Sequence, residues 1–110
     1  SRCVPGIAKW TTFAGGTSTP EGKHNYQFQT AQATYSVNVI ASPQGRFRGY
    51  QASVVLQGSH ERGPYNTGGL HQWLAPDGRT SGFPATLYRS PASAAKACLA
   101  HAQGLGLCRR

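Results

Sequence analysis

Ala33-Thr34-Tyr35-Ser36-Val37-Asn38-Val39-Ile40-Ala41, followed by Ser42-Pro43-Gln44-Gly45 and then by Arg46 to Gln57, is the stretch whose reading decides the fold. Tyr35, Val37, Val39 and Ala41 alternate with Thr34, Ser36, Asn38 and Ile40. Successive side chains on a strand point to opposite faces, so this period of two predicts a half-buried strand. Pro43 and Gly45 stand where a four-residue turn accepts them. The return segment also has two faces. Arg46, Arg48, Tyr50, Ala52, Val54 and Leu56 make one, and Phe47, Gly49, Gln51, Ser53 and Val55 the other. Period and punctuation together describe a β-hairpin.

Outward from the hairpin, Lys23 to Gln32 puts Tyr26 and Phe28 on one face and adds a strand. The centre is then a three-stranded antiparallel meander. Residues 6–14 are rich in β-branched and aromatic side chains and read as a first strand. Gly15 to Gly22 is turn chemistry throughout, a loop without the Lys-Ser/Thr of a phosphate-binding motif. Gly58 to Gly69 is a second long loop. Leu70 to Leu74 is a short strand carrying Trp73, and Pro76-Asp77-Gly78-Arg79 is a turn.

The C-terminal part predicts one helix, about 91–103. Ser90 supplies the N-cap and Pro91 the first helical position, where its missing N–H costs nothing. Ala92 to Gln103 is alanine-rich, a strongly helix-favouring composition. Gly104 offers a left-handed C-cap. Ala94, Ala95, Cys98, Leu99 and Ala102 form a narrow stripe of mostly small side chains that suits close packing on a sheet. The expected fold is α+β: an antiparallel sheet of about four or five strands with one C-terminal helix, in a single domain over residues 1–110.

Charged residues are only 13% of the chain, and Gly and Pro are plentiful at 14 and 7. Such a surface draws its polarity from Ser, Thr, Gln and Asn, as exported β domains do. Eleven Lys and Arg face three acids, Glu21, Glu61 and Asp77, for a net charge of +8. That balance favours anionic partners: nucleic acid, an acidic lipid surface, polysaccharide or an acidic protein face; the plainer reading is that the charge keeps the protein soluble. The cations are scattered, so any basic patch has to be assembled by folding. No apolar stretch reaches the length of a membrane span. The start at Ser1-Arg2-Cys3, without Met, reads as a mature N-terminus.

Cys3, Cys98 and Cys108 lack the spacing of zinc ligands, and no His pair has metal-ligand spacing, so no metal or other cofactor is expected. A disulfide in an oxidising compartment is the expected use. Cys98–Cys108 would close a short loop after the helix. Cys3–Cys98 or Cys3–Cys108 would instead tie the two ends together. Three is odd, so one thiol is left over.

Three acids, all in predicted loops, argue against paired-carboxylate catalysis, and no Gly-x-Ser-x-Gly elbow occurs. The most enzyme-like set is His60-Glu61-Arg62 with His71, and with Tyr65 and His24 as neighbours. A small basic ribonuclease would use such groups as acid, base and anion clamp. A solvated turn is the plainer reading of the same residues. Arg46, Arg48, Tyr50, Tyr65 and Phe83 read instead as a contact surface. Aromatic side chains with Arg make up protein–protein hot spots and stack on bases or sugars. For Tyr50, Trp10 and Trp73 the competing reading is burial in the core.

Gly82-Phe83-Pro84-Ala85-Thr86-Leu87-Tyr88-Arg89-Ser90-Pro91-Ala92-Ser93-Ala94-Ala95-Lys96-Ala97-Cys98 resembles the C-terminal pattern of exported attachment proteins of filamentous bacteriophages. There an aromatic-Ser-x-x-x-Ala-Ala-x-x-Cys helix follows a β region. The quoted residues are about one-sixth of the chain, and the central hairpin is not part of the resemblance. It implies the N-terminal host-attachment domain of a minor coat (adsorption) protein, displayed on the virion surface or released to an extracellular or periplasmic space. Its partner would be a protein receptor of the bacterial envelope, a pilus or a periplasmic TolA-type protein. The odd cysteine departs from that pattern. The alternatives from other classes are a secreted ribonuclease or toxin domain, and a carbohydrate- or polyanion-binding module.

Overall fold

The computed structural model describes residues 4–13, 23–56, 72–83 and 86–106. They form a six-stranded antiparallel sheet in which every strand pairs with its neighbour in sequence. The strands are β1 (Thr11–Phe13), β2 (Asn25–Gln29), β3 (Ala33–Ala41), β4 (Phe47–Leu56), β5 (Gln72–Leu74) and β6 (Thr80–Ser81). The strand beyond the expected four or five is β6. Two residues are too short to show a period, so it could not be read from the sequence. The predicted first strand divides into a 3₁₀ turn, Ile7–Lys9, and the three residues of β1.

The long hairpin pairs as its alternation requires. Tyr35 faces Val54, Val37 faces Ala52 and Val39 faces Tyr50, and all six are buried. Asn25 is buried too, and its Oδ1 accepts from the Val39 N–H at 2.7 Å, beyond the last paired residues of β2 and β3. Thr30 closes the β2–β3 turn, its hydroxyl accepting from Ala33 N at 2.8 Å.

α1 (Pro91–Gly104) lies on one face of this sheet, against β3, β4 and β5. Ser90 caps it as predicted, its Oγ accepting from Ser93 N at 3.2 Å. The helix buries Ala94, Ala95, Ala97, Cys98, His101 and Ala102, so the stripe is wider than expected and includes a histidine. Gly104 is the last helical residue rather than the cap. The left-handed residue is Gly106, with φ 77°, because the helix runs one residue further and its exit turn moves with it. Small side chains let the β5–β6 turn approach the helix backbone. A Cβ on Gly78 would stand 2.7 Å from His101 N.

Cys98 is a free, fully buried thiol in the middle of that interface. This corrects the expected Cys98–Cys108 disulfide, and no disulfide occurs among the described residues. Burial also raises the Cys98 pKa far above that of an ordinary thiol. Cys3 and Cys108 lie outside the described residues.

Candidate binding surfaces

A β-bulge decides where the hairpin arginines go. Ile40 faces Gly49 but Ala41 faces Phe47, so Arg48 is the extra residue. The extra residue reverses the alternation of β4 at that point. Phe47 turns to the core side and meets Tyr50 edge-on, with ring centroids 5.0 Å apart. Arg48 and Arg46 stay exposed. Strict alternation had placed Arg46, Arg48 and Tyr50 on one face with Phe47 opposite; the bulge overturns this. Tyr50 is 4% exposed and belongs to the core, not to a contact surface.

Two further cations join this end of the sheet. Lys23 sits over the Phe47 ring, 4.9 Å from its centroid, a cation–π contact. Tyr50 and Tyr88 exchange two backbone hydrogen bonds of 2.8 Å, which brings the exposed Arg89 beside the start of β4. Leu87, 47% exposed, lies next to it, with its Cβ within reach of Gly49. Lys23, Arg46, Arg48 and Arg89 thus gather around an aromatic support of Phe47, Tyr50 and Tyr88. Among the described residues no carboxylate pairs with Arg46, Arg48 or Arg89. Asp77, the one acid among those residues, is held by Arg79 at 3.2 Å in the β5–β6 turn. Phe83 is 79% exposed, but it follows β6 at the opposite margin of the sheet order and does not join the cluster.

The second surface is the sheet face away from α1. Thr11 faces Gln27, Gln27 faces Ser36, Ser36 faces Ser53, Ser53 faces Trp73 and Trp73 faces Ser81. One row of hydroxyls, an amide and an indole therefore crosses all six strands. Asn38 opposite Gln51 and Gln29 opposite Thr34 flank it. No strand residue on this face is charged. Ser53 on this face is 1% exposed, and its Oγ has no hydrogen-bond partner among the described residues. An orphaned buried hydroxyl costs about 1–3 kcal/mol. Of the two tryptophans, Trp10 is core, donating from Nε1 to Pro5 O at 2.9 Å, whereas Trp73 is half-buried on the face away from α1.

The nuclease set His60, Glu61, Arg62 and His71 lies outside the described residues, as does Tyr65. His24, its remaining neighbour, is exposed at the start of β2. No group of three metal-ligating side chains occurs among the described residues. In the same residues no helix is long and apolar enough to cross a membrane. A 540 Å³ hollow lies between the Asp77–Thr80 turn and the end of α1, lined also by His101 and Leu105. It is open to solvent, and its one acid is already bonded to its one arginine.

Comparison with protein-family models, with curated proteins and with solved structures found no match.

Sequence reasoning identified Arg46 and Arg48 but missed Lys23, Arg89 and the polar row. Lys23 and Arg89 are far from the hairpin in sequence. Only the Phe47 contact and the Tyr50–Tyr88 pairing bring them in.

Proposed function

We propose that this chain is an exported binding domain that engages an acidic face of a bacterial envelope protein through the basic end of its sheet. The observation that carries this is the bulge at Arg48, which directs two arginines outward beside Lys23 and Arg89. Clustered cations attract an acidic partner and speed its encounter. Aromatic side chains beneath them hold the strand ends that carry the charges. With the phage-like pattern at 82–98, this reading makes the chain the host-attachment domain of a filamentous-phage adsorption protein. Its receptor is then a pilus or a TolA-type periplasmic domain.

The test is direct binding of the chain to purified pili and to purified TolA C-terminal domains from Gram-negative bacteria. Binding to one of them is expected. It should weaken about tenfold or more in the Arg46→Glu/Arg48→Glu double variant, and also as salt rises from about 50 to about 500 mM. Absence of binding to all of them, or binding indifferent to the double reversal, refutes the reading. Equal affinity for heparin and single-stranded DNA would instead support a general polyanion binder.

A further inference from the structure

We propose that a cleft between residues 4–7 and α1 takes a leucine-sized side chain from an acidic segment of the partner protein. This rests on the attachment reading and gives the same partner a second, apolar contact.

The cleft exists because the chain before β1 packs beside α1 without filling the space next to it. Val4 is buried in the core, and Trp10 Nε1 donates to the Pro5 carbonyl at 2.9 Å, which fixes this segment. Gly6 has no side chain, and Ala92 and Ala95 bring only methyl groups from the helix. Ile7 and Leu99, both half-buried, give the cleft its larger apolar walls. What remains is a hollow of about 110 Å³. An apolar cavity of about 150 Å³ holds benzene, so this one suits a branched aliphatic group of about four carbons. A preformed hollow of this kind loses little freedom when it is filled.

Charge indicates what carries the aliphatic group. Lys96 lines the cleft, and Lys9 ends the 3₁₀ turn that contributes Ile7; both lysines are exposed. Among the described residues no acid lines the cleft, and Asp77 is bonded to Arg79 in the β5–β6 turn. A carboxylate next to the inserted group therefore meets charges of opposite sign.

Position joins the cleft to the basic end. Arg89 of that end precedes the Ser90 cap, and Ala92 and Lys96 stand on the first two turns of the same helix. Lys96 is about 9 Å along the axis from the cap, at about 1.5 Å per residue. An extended segment rises about 3.3 Å per residue, so about three residues reach from Arg89 to Lys96. One aliphatic residue between two acidic ones fits that spacing. A free aliphatic acid would use the cleft and Lys96 but would not reach Arg89.

The experiment titrates the whole chain with the peptide acetyl-Glu-Asp-Leu-Asp-Glu-amide and follows the methyl signals of Ile7, Ala95 and Leu99 by NMR. The peptide should bind saturably below about 10 mM and shift these signals. Replacing its Leu by Gly, or its acids by Gln and Asn, should each weaken binding at least about fivefold. Ala92→Phe, which fills the cleft from an exposed position, should abolish the preference for Leu over Gly. Lys96→Glu and Arg89→Glu should each weaken the peptide at least about threefold, and 4-methylpentanoate should bind at least about tenfold less tightly than the peptide. The proposal is overturned if the Gly peptide binds as tightly as the Leu peptide, if 4-methylpentanoate matches the peptide, or if Lys96→Glu has no effect. It is also overturned if the cleft signals shift with chain concentration alone, which makes a second copy the occupant. Receptor binding that depends on Arg46 and Arg48 but ignores Ala92→Phe overturns this proposal and leaves the attachment reading standing. Peptide capture without binding to any pilus or TolA domain overturns the attachment reading and leaves the cleft standing. Should Ala92→Phe fail to fold, Lys96→Glu and the Gly peptide decide alone.

Discussion

The hydroxyl of Tyr35 and the Nδ1 of His101 lie 2.9 Å apart, joining the middle of β3 to the last turn of α1 across 66 residues of sequence. Both groups are buried, and their rings meet edge-on at 5.6 Å. Burial raises the Tyr35 phenol well above its usual pKa and lowers that of His101. Two neutral rings therefore share the hydrogen bond.

Because burial lowers the folded-state pKa of His101, the unfolded chain takes up that proton more readily. An unfolded histidine titrates near about 6.5. The stability supplied by the neutral ring is complete above that value. It is lost as pH falls through it toward the lower folded-state value. Urea unfolding at a series of pH values should show this loss on acidification. His101→Gln should flatten the part of the curve below pH about 6.5. Tyr35→Phe should cost about 1 kcal/mol at neutral pH, the usual worth of one such bond.

Gly78 sits at φ 89° with the backbone of Ala100 and His101 against it. Gly78→Ala should cost about 3 kcal/mol or more, combining overpacking with left-handed strain. Gly45 has a similar φ of 85°, but among the described residues nothing stands within 4 Å of its missing Cβ. Gly45→Ala should therefore lose only about 1–2 kcal/mol. Denaturation midpoints of the two variants measure the packing contribution by difference.

Cys98 should resist a thiol reagent in the folded chain, since its thiol is buried and its pKa is raised. In urea it should react fully. If Cys3 and Cys108 are joined, a non-reduced sample will titrate one thiol per chain in urea, and a reduced sample three. Cys98→Ser should destabilise by about 1–3 kcal/mol, because a polar hydroxyl replaces an apolar thiol in a fully buried place.

Arg48 and Tyr50 are two residues apart and should behave oppositely. Arg48→Ala should change stability by less than about 0.5 kcal/mol, as exposed positions do. Tyr50→Ala should cost about 3–5 kcal/mol by opening a cavity beneath β4. Thermal unfolding of both variants checks that the bulge, not simple alternation, sets the face each side chain occupies.

How much was legible follows from the range of the forces involved. The sequence by itself determined the hairpin of 33–57, the Ser90-capped helix and the cationic balance. Alternation, capping and charge depend on residues near one another in the chain. Arg46 and Arg48 were recognised on composition, but their company was not. Only the tertiary structure decided that Arg48 occupies a bulge, that Tyr50 is core, and that Cys98 is a free thiol on the buried face of the helix. It alone brought Lys23 and Arg89 to the arginines, paired Tyr35 with His101, and set Ser53 beside Trp73. Each of these depends on cross-strand register or helix docking. One inserted residue at Arg48 reverses the faces of the strand before it, and no local pattern in the sequence announces it.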